Sequence, residues 1–181
     1  MMNSSMPLTP PQILLDDIIS LPVLFFDFKG IEQKGIIEVH KTIVHDIRDL
    51  FTLIHELNFP ITSVKPISEF NYDDDISMAA NNTSAFNFRT VALEPTRISN
   101  HGYGLAIDLN PVQNPYIKND IVLPPNAMYA SDATGTISVD HPITQFMKER
   151  GYVWGGNWGK SYLDYQHFHK EPNSNFLKKY I

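Results

Sequence analysis

The sequence predicts an α+β fold: a single domain in which a long helix packs on a small, mostly antiparallel sheet. Three observations predict it. Between residues 40 and 57 the apolar side chains Ile43, Ile47, Leu50, Phe51, Ile54 and Leu57 recur at spacings of three and four, which gives a helix one apolar face. Elsewhere, short runs of β-branched and aromatic residues alternate with turn signals, the mark of strands. With 181 residues, 43% hydrophobic and 19% charged, the chain is long enough to bury roughly 70% of its unfolded surface, a core that needs no staples.

In chain order, residues 1–12, with Pro7, Pro10 and Pro11, read as a flexible N-terminal arm, and residues 13–181 as the folded domain. Ile13, Leu14, Leu15, Ile18 and Ile19 have helical spacing, and Pro22 ends that helix. Val23 to Phe28 reads as a strand that turns at Lys29-Gly30 and pairs with residues 36–39. The long helix over 40–57 stops at Asn58-Phe59-Pro60, and residues 61–67 follow as a strand. From 68 to 95 the chain is polar and irregular, with Asp73-Asp74-Asp75 and Asn81-Asn82; an ordered loop of that length is usually functional. Ile107 and Leu109 flank Asp108 in a short strand, and 111–137 is again loop-rich. Asp140 is placed to cap a helix carrying Pro142, Ile143, Phe146 and Met147, with Gly151 past its end. Residues 152–154 and 163–169 read as terminal strands.

Composition excludes several classes of function. Fourteen Lys+Arg against twenty Asp+Glu give a net charge of −6, which disfavours nucleic acid and anionic membrane surfaces. Leu21 to Phe26, the most apolar run, is far shorter than the roughly 20 residues that span a bilayer. Met1 to Gln12 lacks Lys and Arg, and Asp16 and Asp17 interrupt the apolar run behind it, so no signal peptide is expected. Without cysteine there is no disulfide, thiolate zinc site, iron–sulfur cluster or thiol nucleophile, and any metal must be held by His, Asp or Glu.

Two segments concentrate such residues. In Ser99-Asn100-His101-Gly102-Tyr103-Gly104-Leu105-Ala106-Ile107-Asp108 the glycines disfavour a helix, so His101 falls on a turn and Asp108 on the strand after it. Asp164-Tyr165-Gln166-His167-Phe168-His169 adds an acid and two imidazoles. Two His and one carboxylate form a known ligand set for catalytic zinc, which leaves a position open for water. Gly102-x-Gly104 is not a dinucleotide loop, because Ile107 stands at the third glycine and no helix pattern follows. His55-Glu56 lacks the second His of a zinc-protease helix, and His40, His45 and His55 read as solvated or partner-bonded helix residues.

The segments Ser99-x-His101-x-x-Gly104-x-Ala106-x-Asp108 and Trp154-Gly155-Gly156-x-Trp158…Asp164-x-x-His167-Phe168 resemble, in order, the two signatures of the D-alanyl-D-alanine carboxypeptidase (VanY-like) and L-alanyl-D-glutamate peptidase family of zinc peptidases. Asn110-Pro111-x-x-Asn114-Pro115-Tyr116 and Thr83-Ser84-Ala85-Phe86-Asn87-x-Arg89 resemble further stretches of it, so the likeness runs roughly from residue 22 to 170. The resemblance implies one zinc ion per chain held by His101, Asp108 and His167 in a cleft at one sheet face, as in the hedgehog and D-Ala-D-Ala peptidase-like fold. It makes Asp164 the general base, against the plainer reading of a partner that orients a ligand imidazole. By the same resemblance Arg89 is expected to stabilise the oxyanion or grip a substrate carboxylate, Ser99 to contact substrate, and Trp154 and Trp158 to wall the cleft. The implied substrate is the peptidoglycan stem peptide, cut at D-Ala-D-Ala or at L-Ala-D-Glu, by a monomer acting outside the cytoplasm; a silent zinc-binding wall module is the alternative. One position departs from the pattern. Relatives commonly carry Glu two residues after the last ligand His, where this chain has His169. Residues 167 and 169 share one side of a strand, so His169 reads as a partner of the ligands or a substrate contact in preference to an extra ligand, as in lysostaphin-like His-x-His enzymes.

Overall fold

Pro11 introduces a single helical turn, α1 (Gln12–Leu15), of which Leu14 alone is buried. The computed structural model describes residues 8–91, 94–159 and 161–180, so most of the expected arm, residues 1–7, lies outside the described residues. The chain then extends immediately. Strand β1 (Ile18–Phe26) pairs antiparallel with β2 (Glu32–His40) over its whole length, from Ile18 opposite His40 to Phe26 opposite Glu32. The helix expected over 13–19 is therefore a strand from Ile18 onward, and Pro22 lies inside it. A two-stranded ribbon has edges only, so a residue without N–H is tolerated wherever its nitrogen faces outward. Asp27 closes the turn by accepting from the backbone N–H of Lys29 and Ile31 at 2.9 and 3.0 Å.

Helix α2 (Val44–Glu56) buries Ile47, Leu50, Phe51 and Ile54, the apolar face that the spacing predicts. It begins at Val44 instead of residue 40, because His40 belongs to β2. His40 is accordingly a buried strand residue, while His55, on the helix, pairs with Glu32 at 2.8 Å.

After the short strand β3 (Ser63–Val64), the polar stretch expected as loop holds α3 (Asp74–Ala79), β4 (Asn82–Thr83), β5 (Thr90–Val91) and the start of β6 (Glu94–Ile98). Asparagines hold it together. Buried Asn82 accepts from the Lys65 N–H at 2.9 Å and donates to the Lys65 carbonyl at 3.0 Å, which fixes β4 parallel to β3. The strand expected over 61–67 shrinks to β3 as a result.

The remaining elements are β7 (Ala106–Asp108), β8 (Tyr116–Lys118), β9 (Ile121–Leu123), α4 (Pro142–Glu149), β10 (Val153–Trp154), β11 (Tyr162–Asp164), β12 (His167–His169) and α5 (Ser174–Tyr180). The cap of α4 is His141, whose Nδ1 accepts from the Ile143 N–H at 3.2 Å, and not Asp140. The single strand expected over 163–169 divides in two. Asp164 pairs with Tyr116 in the antiparallel sheet β11-β8-β9, whereas His167 pairs with Asp108 in the antiparallel sheet β10-β12-β7. Phe168, Ile107 and Trp154 fill the core face of the second sheet, so alternation puts Asp108, His167 and His169 on its other face. The architecture is a small α+β domain with short, mostly antiparallel sheets. No helix among the described residues is long and apolar enough to cross a membrane.

Helix α5 closes the ends of the chain on each other. Buried Asp17 accepts from Lys41 Nζ at 2.8 Å, from Tyr180 Oη at 2.6 Å and from Lys179 Nζ. Lys179, then Lys41 and Tyr180, hold the Asp17 carboxyl well below the usual carboxylate range. A depressed folded-state pKa stabilises above the unfolded value near 4 and is lost as pH falls below it. Asp17→Asn is expected to cost about 2 kcal/mol, the scale of hydrogen bonds to a charged group, and to lower Tm by roughly 4–8 °C. Melting curves from pH 7 to pH 3 check this, because the gap to the parent closes in acid.

Candidate metal centre

Strand register brings the first two groups together. Asp108 on β7 and His167 on β12 are directly opposed, which puts both side chains on one face, with Asp108 Oδ1 2.9 Å from His167 Nδ1. His101 comes from the 3₁₀ turn Asn100–Tyr103 just before β7. Gly104 ends that turn at φ +67°, where a Cβ would stand 2.7 Å from the His40 nitrogen, so both conformation and space demand glycine. His101 Nε2 lies 3.2 Å from Asp108 Oδ2 and 3.0 Å from His167 Nδ1.

All three residues are buried, at 3–7% exposure, and their ligand atoms lie within 4.8 Å of one another. The His101 Nδ1–H donates to the Ala85 carbonyl at 2.6 Å, which leaves a lone pair on Nε2. That lone pair faces a carboxylate, which can only accept. With His101 neutral the centre has no positive group between its acceptors, and the donor set of two imidazoles and one carboxylate fits zinc, whose tetrahedral ligands at about 2.0–2.1 Å are separated by similar distances. Electrostatics agrees. Burial opposes charge on both groups, yet Asp108 raises the pKa of His101, and the two imidazoles hold the Asp108 carboxyl well below its usual range.

Asp164 ends β11, where it presses on Gly155: a Cβ there would lie 2.8 Å from the Asp164 Cβ and 2.4 Å from its carbonyl oxygen. Gly156 fits in the same way under the Trp154 ring. The Asp164 Oδ1 is buried without a hydrogen-bond partner among the described residues, and burial, with the negative charge of Asp108, pushes its pKa up to about 7. A carboxyl poised there can both take and give a proton near neutrality.

Arg89 donates to Asp74 of α3 at 2.9 Å, and its Nε is buried without a partner among the described residues. Burial works against its charge, but the fields of Asp74, Asp108 and Asp164 raise its pKa above the ordinary value, which places the guanidinium electrostatically within the same acidic cluster. Ser99 is buried, and its Oγ caps the turn by accepting from the His101 N–H at 3.3 Å. The two tryptophans part company. Trp154 is core, with its Nε1–H donating to the Tyr165 carbonyl at 2.9 Å, whereas partly exposed Trp158 sits 5.3 and 5.9 Å from the rings of His167 and His169. His169 is not among the converging groups. It lies behind His167, with Nδ1 3.1 Å from His167 Nε2 and Nε2 3.0 Å from Glu171 Oε1.

Two contributors, Asp74 and Glu171, escape the sequence motifs, and a third, Ala85, lies inside one but acts through its carbonyl. Asp74 and Ala85 act through tertiary contacts with no local sign. Glu171 had one, the spacing His167-x-His169-x-Glu171 on an extended segment.

No match to the chain was found among curated proteins or solved structures. Residues 93–170 match the family model described as D-alanyl-D-alanine carboxypeptidase, a span that contains His101, Asp108, Asp164 and His167. Motif order, buried convergence and family match agree: the stretch of this chain that supplies His101, Asp108 and His167 is similar to the D-alanyl-D-alanine carboxypeptidase family.

Proposed function

We propose that this protein is a zinc peptidase that hydrolyses stem peptides of peptidoglycan, as a D-Ala-D-Ala carboxypeptidase, and acts outside the cytoplasm, where that substrate lies. The observation that carries the reading is the buried His101, Asp108 and His167 centre with the Asp164 carboxyl, its Oδ1 unpartnered among the described residues, in its electrostatic field. Zinc bound there supplies Lewis acidity toward a scissile carbonyl and makes water easier to deprotonate. Asp164 accepts the proton of the attacking water and returns it to the leaving amine. Arg89, held from behind by Asp74, offers donors to the developing oxyanion or to the terminal carboxylate of the substrate. Trp158 gives the centre an apolar wall beside the imidazoles, and the Trp154-Gly155-Gly156 packing keeps Asp164 in place.

The test is hydrolysis of synthetic stem pentapeptide and tetrapeptide by zinc-loaded protein, with products identified by mass spectrometry. Loss of one terminal Ala from the pentapeptide alone is expected. Cleavage of both peptides after L-Ala identifies the endopeptidase instead, and no cleavage of either sinks the peptidase reading in favour of a silent zinc-binding module.

A further inference from the structure

We propose that His169 and Glu171 form a positioning relay that fixes which nitrogen His167 presents to the metal; this rests on the zinc reading above. The reasoning runs inward from the surface. An ionised carboxylate can only accept, so the His169 Nε2–H donates to Glu171 Oε1 across 3.0 Å. A neutral imidazole carries one N–H, so His169 Nδ1 is then an acceptor. The only proton that can fill the 3.1 Å contact with His167 is therefore on His167 Nε2. His167 Nδ1 is left with its lone pair, and Nδ1 is the atom that faces Asp108 and His101 at 2.9 and 3.0 Å. Carboxylate, ring and ring thus determine one tautomer in sequence.

The device has a physical rationale in this chain. A carboxylate next to a metal-bound imidazole orients the ring and raises its basicity, but a buried carboxylate carries a large desolvation penalty. Here the buried position is a neutral ring, His169 at 5% exposure, and the charge sits one step outward on Glu171, whose side chain is 66% exposed. His169 thus serves where relatives commonly have Glu, without placing a second negative charge close to Asp108 and Asp164. Trp158, flanking both rings, restricts their rotation.

The experiment is zinc binding by competition titration for the parent, His169→Phe, Glu171→Lys and His169→Glu, with the melting temperature of each metal-free protein measured alongside. His169→Phe removes the acceptor, and Glu171→Lys replaces an acceptor by a donor at an exposed position, which reverses the relay. Both are expected to weaken zinc binding by about 10–100-fold. Metal-free Glu171→Lys melts like the parent, and His169→Glu, which restores a direct carboxylate partner, recovers most of the affinity. In the zinc-loaded parent, long-range ¹H–¹⁵N spectra are expected to show His167 bound through Nδ1 with Nε2 protonated. Parent-like affinity in both His169→Phe and Glu171→Lys, or a metal-bound Nε2 on His167, overturns the relay while leaving the metal centre standing. A parent that binds no zinc overturns the zinc reading and the relay with it.

Discussion

Asp164→Asn is expected to lower stem-peptide hydrolysis by roughly 10²–10⁴-fold, the usual contribution of a general acid–base group, while zinc affinity stays close to that of the parent. The amide keeps the size of the carboxyl but cannot accept the proton of an attacking water. Its pKa also makes a prediction. Burial and the charge of Asp108 push the Asp164 carboxyl up to about 7 in the metal-free protein, so it is neutral below that pH and functions as a base only above it. A cation held by the neighbouring ligands favours the ionised form, and the acid limb of kcat/KM in the zinc-loaded enzyme falls below pH 7 as a result. Asp164→Asn removes that limb from the residual activity. The same shift predicts a stability effect of opposite sign to that of an ion-paired acid. A folded-state pKa above the unfolded value contributes stability that is lost as pH rises from about 4 through 7, so metal-free Asp164→Asn loses this decline and gains Tm relative to the parent at pH 8. A variant that hydrolyses stem peptide at the parent rate shows that Asp164 only orients its neighbours.

The convergence of His101, Asp108 and His167 was legible because their motifs encode backbone geometry as well as side chains. Gly102 and Gly104 announced a turn before a strand, and the turn exists because a Cβ at Gly104 would strike β2. The amphipathic face of α2 was legible because one buried face needs apolar residues every three or four positions, and α2 has them, although the helix is shorter than the spacing predicts. Elements without a periodic signal were not. Strand β1 begins in a segment whose Ile13 to Ile19 spacing imitates a helix, and full-length pairing with β2 overrides the local preference. The stretch 68–95 looked like loop because its short strands are held by Asn82 and its neighbours through side-chain hydrogen bonds, and a two-residue strand leaves no pattern to read. Ser99 and Trp154 show a further limit. A motif residue at the right position serves equally well as a turn cap or as core, and only the partners of its polar atom tell which. Arg89 was found by its motif, but its anchor Asp74 stands fifteen residues away on α3, where Asp73-Asp74-Asp75 gave no sign of which acid turns inward.

Zinc is expected to raise the melting temperature of the parent by roughly 8–16 °C when present at about a thousand times its Kd, a gain of about 4 kcal/mol, and Asp108→Asn is expected to abolish the increment. Without a metal the centre is held by a proton. His101 has a raised pKa because Asp108 outweighs the effect of burial, so its contribution is complete below the unfolded value near 6.5 and is lost as pH rises through the folded pKa. Asp108 has a depressed pKa, so its contribution is present above about pH 4 and is lost in acid. The metal-free protein is therefore best served between about pH 4 and 6.5. Once pH rises past the raised pKa of His101, its Nε2 lone pair and the Asp108 carboxylate face each other across 3.2 Å with nothing positive between them. Zinc and proton compete for the same place, and the Tm increment from zinc grows as pH rises from 5 to 8. Asp108→Asn removes the ligand with formal charge and leaves two neutral rings, which neither bind zinc tightly nor repel each other through a carboxylate, so its Tm responds little to zinc or to pH in this range. Differential scanning calorimetry at pH 5 and pH 8, with and without zinc, reads both effects. An equal increment at the two pH values, or one that survives Asp108→Asn, shows that the metal binds elsewhere on the protein.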